Sequence, residues 1–169
     1  MNQIELEKLI KIAFAGVTLG GGISLEQSKV QDNGGKDESG RELGENEWLT
    51  LPLREVTDDW TAISEETLCD VWSFAHLVEE GFRYYLPAFM VHTLEDGWNS
   101  ETLSSLLLNL YPKKDQTWEY SMLRYSLLDH LQRSAVAQFL LFLPGFINLD
   151  SEDHTLVERA LRNYWSDYL

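Results

Sequence analysis

Two short segments of the sequence carry the same pattern of potential metal ligands. His76 stands three residues before Glu79, and His92 stands three residues before Glu95. Residues three apart lie on one face of a helix, so each segment could present an imidazole and a carboxylate together. Imidazole and carboxylate groups at this spacing could supply two ligands to one metal ion. One hypothesis for function is therefore a metal-dependent enzyme that uses these four residues.

The same residues also have an interpretation without a metal. Gly81 and Gly97 follow the two segments, and glycine commonly closes a helix just after its last turn. Di-metal carboxylate bundles, moreover, place Glu before His and add further Glu residues from facing helices. Acidic residues in the last turn of a helix interact unfavourably with the helix dipole, which destabilises the helix by about 0.3–1 kcal/mol each. This cost is too small to indicate that the acids are kept for a function. The acids concerned are Glu79, Glu80, Glu95 and Asp96. No metal or other cofactor is assigned from the sequence.

Other catalytic signatures are missing from the sequence. It has no Gly-x-Ser-x-Gly elbow and no His-Glu-x-x-His motif. Cys69 falls on a helical face predicted to be buried, where a thiol is usually inert. The glycines at 20–22 precede Ile23 and Ser24 rather than the Lys-Ser/Thr of a phosphate loop, and a helix rather than a strand is predicted before them. We expect a tight turn there, and the sequence favours a protein that is not an enzyme.

Aromatic residues and an arginine are concentrated in one stretch, at Phe82, Arg83, Tyr84 and Tyr85. Aromatic and Arg side chains are enriched at protein-binding hot spots. The same stretch, continued to residue 90, is also apolar enough to be a core segment. A third interpretation is a small-molecule pocket lined by Trp72 and the two tyrosines. The sequence leaves core, interaction surface and pocket open.

The charge balance narrows the class of partner. The 169 residues include 13 basic and 28 acidic side chains, for a net charge of −15. Nucleic acids and anionic membranes are bound by Lys and Arg clusters, so both are disfavoured as partners. The charge suits a basic protein partner or simple solubility. The leading hypothesis is a non-catalytic, acidic, soluble interaction or accessory protein, comparable to an immunity protein, that binds a basic protein.

Location is predicted from cysteine content and hydropathy. The single cysteine excludes an intramolecular disulfide and a Cys-rich zinc site. The first five residues do not resemble a signal peptide. The most apolar stretch, 135–147, is shorter than the roughly 20 residues that span a bilayer. We expect a cytoplasmic protein in a reducing compartment.

Leucine occurs 28 times, whereas Val and Ile together occur 14 times, which favours helices over strands. Periodic apolar residues and caps predict one all-α domain over 1–169 with six to seven helices. A capping box at Ser24 and Gln27 predicts a short second helix. One helix is expected to run from Ser64 toward Glu80, and another to begin near Pro87. Residues 33–47 are predicted to form a mobile loop, and residues 48–53 a short extended segment.

Residues 81–90 read GFRYYLPAFM, and residues 13–25 read AFAGVTLGGGISL. Together with the helix predicted over 132–143, they resemble a bacterial domain family of unknown function. Its features are a GFRYYLPA-type signature, here at 81–90, and an LGGGISL-type turn, here at 19–25. The resemblance implies a compact, mostly helical single domain and no catalytic residues.

Overall fold

The computed structural model describes residues 1–69, 73–95 and 100–169. The described residues form α-helices and 3₁₀-helices but no strand, so the predicted all-α fold is confirmed. The α-helices are α1 Gln3–Ala13, α2 Leu25–Asp32, α3 Glu45–Thr50, α4 Glu65–Leu68, α5 Glu79–Leu94, α6 Ser100–Leu110, α7 Trp118–Tyr125, α8 His130–Phe146 and α9 Ser151–Asn163. The 3₁₀-helices are Leu51–Arg54, Trp60–Ala62, Ser73–His76 and Trp165–Tyr168.

The start of α2 has the capping box that the sequence predicts. Ser24 Oγ accepts a hydrogen bond from the Gln27 backbone N–H at 3.2 Å, and Gln27 Oε1 accepts one from the Ser24 N–H at 3.0 Å. Two amides that the helix leaves unpaired are thereby satisfied. Ser24 has no exposed surface, so the cap is buried even though Gly20 and Gly21 just before it are exposed.

Helix α5 is the centre of the core. Twelve of its sixteen residues are buried, and it packs against α1, α4, α7 and the 3₁₀-helix Trp60–Ala62. Helix α8 packs against α1 and α9. Burial of each large apolar side chain contributes about 1.5–3 kcal/mol, so α5 is stabilised by its neighbours more than by its own helix propensity.

Two predicted helix boundaries are wrong. Gly81 does not end a helix: α4 ends at Leu68, and Gly81 is the third residue of α5. Pro87 does not begin a helix but lies inside α5. A proline in a helix interior costs about 3 kcal/mol because it lacks an N–H and crowds the preceding turn. Packing around the buried helix offsets that cost.

The extended segment predicted at 48–53 is also wrong. These residues belong to α3 and to the 3₁₀-helix Leu51–Arg54, in which Pro52 occupies the first turn, where a proline is tolerated. The predicted loop 33–47 shares its last residues with α3. Its tip contains a turn in which Asp37 Oδ1 accepts hydrogen bonds from the backbone N–H groups of Ser39 and Arg41. Mobility of this loop stays a prediction.

Candidate functional site

The structure does not bring the four predicted metal ligands together. His76 lies in the 3₁₀-helix Ser73–His76, where its Nε2 is 2.8 Å from Asp32 Oδ1 at the end of α2. Glu79 begins α5, whereas His92 lies in its last turn. His92 is thirteen positions after Glu79 in the helix, a rise of about 20 Å at 1.5 Å per residue. The segment with Glu79 and the segment with His92 therefore cannot share one ion.

The electrostatic penalty expected for the acids does not apply at the first of these segments. Glu79 and Glu80 lie in the first turn of α5, where the helix dipole favours a carboxylate. At the other end, Glu95 is the C-cap residue and lies 3.9 Å from Lys11 Nζ. Asp96 and Gly97 lie outside the described residues, so the predicted closure by glycine is not tested there.

His92 instead approaches the first residue and the C-cap residue of α4, a pairing that the sequence did not indicate. One ligand atom each from Glu65, Cys69 and His92 lie within 4.8 Å of one another. Ser64 caps α4, and the four-residue spacing from Glu65 to Cys69 brings both side chains to one face of this turn. A Glu–Cys spacing of four was visible in the sequence, but its proximity to His92 comes from the packing of α4 on α5.

The His92 ring has an unusual environment. Its Nε2 is shielded from solvent and has no hydrogen-bond partner. A buried polar atom left in this way costs about 1–3 kcal/mol. A cavity of about 300 Å³ lies beside the ring. It is lined in part by Trp60, Glu65, Leu68, Ala88, His92 and Glu95.

The aromatic stretch of α5 belongs to the core. Phe82, Tyr84 and Tyr85 have no exposed surface. Tyr84 Oη donates to the Val56 carbonyl at 2.8 Å, and Tyr85 Oη donates to Glu55 Oε2 at 2.6 Å. Burial raises the pKa of both phenols above its ordinary value. These rings leave no surface for a partner to touch.

Arg83 is half-buried, and its Nε donates to Gln132 Oε1 at 3.2 Å, which ties α5 to α8. The proposed small-molecule pocket would need Tyr84 and Tyr85 at its wall, but both hydroxyls are hydrogen-bonded inside the protein. Trp72, the third predicted lining residue, lies outside the described residues.

A different surface combines apolar and acidic groups. We name residues 42–59 the α3 segment. Leu49 is 63% exposed and Leu53 is 83% exposed, so their apolar surface faces water. The segment has six acidic residues and one basic residue, Arg54. The exposed acids are Glu42, Glu45, Glu47, Asp58 and Asp59.

An open cavity of about 710 Å³ lies between α2, the 33–44 loop and α3. Its lining includes side chains of both charges, among them Lys36, Arg54, Asp37 and Glu38. Arg41, which also lines it, binds Glu47 through both terminal nitrogens at 2.9 and 2.8 Å. Because side chains of both charges line the cavity, it does not favour a ligand of either charge.

The fold and these sites define an all-α protein with an acidic, partly apolar surface. Residues 2–169 match a family of unknown function (DUF6714), and the chain belongs to this family. The match confirms the predicted membership of a family of unknown function. Comparisons with curated proteins and with solved structures find no significant match. Among the described helices, none has the length and apolar character needed to cross a membrane.

Proposed function

We propose that this protein is a non-catalytic interaction protein that binds a basic protein partner through the α3 segment. The observation that carries the proposal is the exposure of Leu49 and Leu53 on a segment with six acids and one base. Single exposed leucines are common on protein surfaces. Two of them, four residues apart on continuous helical turns and flanked by carboxylates, provide both an apolar contact and a negative field.

The two kinds of group have different roles in binding. Apolar side chains that lose water on contact contribute affinity, at roughly 25 cal/mol for each Å² buried. The carboxylates steer a cationic partner toward the segment and disfavour acidic proteins. The partner segment that would complement this surface is a helix or loop with leucine-like side chains next to Lys or Arg, as in basic amphipathic helices that bind in grooves.

The other two hypotheses from the sequence have less support. A metal-dependent enzyme using His76, Glu79, His92 and Glu95 would need residues that α5 holds about 20 Å apart. A small-molecule module at Tyr84 and Tyr85 would need space that core side chains already fill.

The test captures partners from native cell extract at low salt and compares variants. Leu49→Ser with Leu53→Ser removes the apolar contact from exposed positions. Leu141→Ser on α8 is the matched control, because Leu141 is also exposed, at 54%. We expect a basic protein to be captured by the wild type and by the control, and to bind the double variant at least about tenfold more weakly, a loss of about 1.4 kcal/mol.

Salt provides a second criterion. The wild-type complex should weaken as ionic strength rises from 0.01 to 0.15 M, over which the screening length falls from about 30 to 8 Å. Capture of no partner, or capture that neither the double variant nor salt affects, would contradict the proposal.

A further inference from the structure

We propose that Glu65, Cys69 and His92 bind a single divalent cation, with Zn²⁺ the preferred ion. Their ligand atoms lie within 4.8 Å of one another. In a tetrahedral zinc site with bonds of 2.0–2.3 Å, ligand atoms are roughly 3.3–3.8 Å apart. Glu65 and Cys69 are exposed, so small side-chain rotations can close the remaining gap.

The three side chains are available as ligands. None of them makes a hydrogen bond or ion pair within the described part of the chain, and the His92 Nε2 is shielded from water as well. His76 offers the contrast, because its ring is held by Asp32 at 2.8 Å. A histidine that packs against the core usually hydrogen-bonds through its ring nitrogens. A bound cation would satisfy the His92 ring without any protein partner.

The donor set indicates which ion fits. A thiolate and a carboxylate together carry two negative charges, which neutralise a divalent cation, while imidazole is neutral. Sulfur and nitrogen donors favour zinc over magnesium and calcium, which prefer oxygen. Three protein ligands leave one position of a tetrahedral ion for water or a small ligand. The cavity lined by Glu65 and His92 provides room for that fourth ligand.

The site differs from the surface in the proposed function. Glu65 begins α4, Cys69 is the C-cap residue of α4 and His92 is on α5, whereas the partner surface is the α3 segment. Metal binding and partner binding can therefore be tested separately, and Leu49→Ser with Leu53→Ser should leave metal binding unchanged.

The experiment titrates metal-stripped protein with Zn²⁺ by calorimetry in the presence of a competing chelator. We expect one ion per chain for the wild type. Cys69→Ser and His92→Gln should each weaken binding at least about tenfold. His76→Gln is the matched control, because it removes an imidazole outside the group, and it should bind as the wild type does.

Cobalt provides a direct readout of the sulfur ligand. Co²⁺ bound to the wild type should show a thiolate-to-cobalt charge-transfer band that Cys69→Ser lacks. Cys69 is exposed and serine is nearly isosteric, so this variant is expected to fold even if His92→Gln does not. Sub-stoichiometric zinc in the wild type, equal binding by Cys69→Ser, or a cobalt spectrum without the thiolate band would overturn the site.

Discussion

Gly22 and Gly81 pack against each other with no room for a side chain on either. A methyl group on Gly22 would lie 2.7 Å from the Gly81 nitrogen, and one on Gly81 would lie 2.6 Å from the Ile23 carbonyl oxygen. The last glycine of the turn before α2 and the first residue of the aromatic stretch at 81–90 thus form one contact. This contact holds the start of α2 against the first turn of α5.

We expect Gly81→Ala to destabilise the protein by about 1–3 kcal/mol, as overpacked sites usually do. Alanine is the better helix former by about 1 kcal/mol, so propensity alone predicts the opposite sign. The atom in the way is backbone, which cannot rotate aside. The free energy of unfolding in urea measures the difference.

Gly145→Ala on α8 is the control for Gly81→Ala. It is exposed and helical, with nothing within 4 Å of the added methyl group. It should be neutral or stabilising by up to about 1 kcal/mol. A Gly81→Ala protein as stable as the wild type would show that the two segments are not in close contact.

The sequence predicted features that depend on near neighbours along the chain. The capping box at Ser24 needs only residues that are three apart in the sequence. The helix boundaries predicted at Gly81 and Pro87 are wrong because the conformation at both positions depends on residues that are distant in the sequence. A glycine commonly marks the end of a helix. At Gly81 the glycine is needed for another reason, because the carbonyl of Ile23, 58 positions away in the chain, occupies the space that a side chain would fill.

The candidate metal group shows the same limit. His92 was recognised as a candidate ligand, but it was paired with Glu95, its neighbour in sequence. Its neighbours in space are Glu65 and Cys69, which α4 brings to it over more than twenty residues of chain. Helix α7 was not predicted, because Trp118–Tyr125 has only eight residues, about two helical turns, which is too short for a clear helical repeat.

Arg124 should tolerate substitution poorly, even by lysine. It is 5% exposed and lies 4.7 Å from the ring centre of Phe82. Its terminal nitrogens donate to Asn109 Oδ1 at 2.6 Å and to the Phe74 carbonyl at 3.1 Å. Lysine has no planar group to stack and cannot reach both acceptors. We expect Arg124→Lys to cost about 1.5–3 kcal/mol in unfolding free energy, the range for hydrogen bonds to a charged group.

Arg159→Lys is the control for Arg124→Lys, because Arg159 is exposed on α9. It should change the unfolding free energy by less than about 0.5 kcal/mol. Equal effects of the two substitutions would mean that the aromatic and carbonyl contacts of Arg124 contribute nothing specific.

Asp153 should make the protein less stable as pH rises. It is 5% exposed, and burial raises the pKa of its carboxyl above the ordinary value. The unfolded chain therefore loses this proton near pH 4, before the folded protein does. Stability falls from about pH 4 upward until pH passes the folded pKa, because the folded state binds the proton more tightly there.

Asp153→Asn removes this titration while its amide oxygen still accepts from Ser104 Oγ, as the carboxylate does at 2.9 Å. Urea unfolding of both proteins between pH 4 and 8 should show the wild type losing stability relative to Asp153→Asn as pH rises. Ser104→Ala removes a bond that favours the charged form, so it should steepen the loss. Parallel curves for wild type and Asp153→Asn would contradict the prediction.

Glu47 tests whether the 33–47 loop is as mobile as its composition predicts. Hydrogen bonds from Arg41, with a smaller contribution from the Gly44 N–H, lower the pKa of the Glu47 carboxyl to about 2. Those bonds lower the pKa only if the loop stays in place, because a mobile Arg41 would leave the pKa of the carboxyl close to its ordinary value near 4.3.

A carbon-detected NMR titration of the Glu47 carboxyl should therefore give a midpoint near 2 in the wild type and a clearly higher one in Arg41→Gln. Lys36→Gln, at the other end of the same turn, keeps the Arg41 bonds and should leave the midpoint unchanged. An ordinary midpoint in the wild type would mean that the Arg41–Glu47 pair opens in solution and that the loop is mobile.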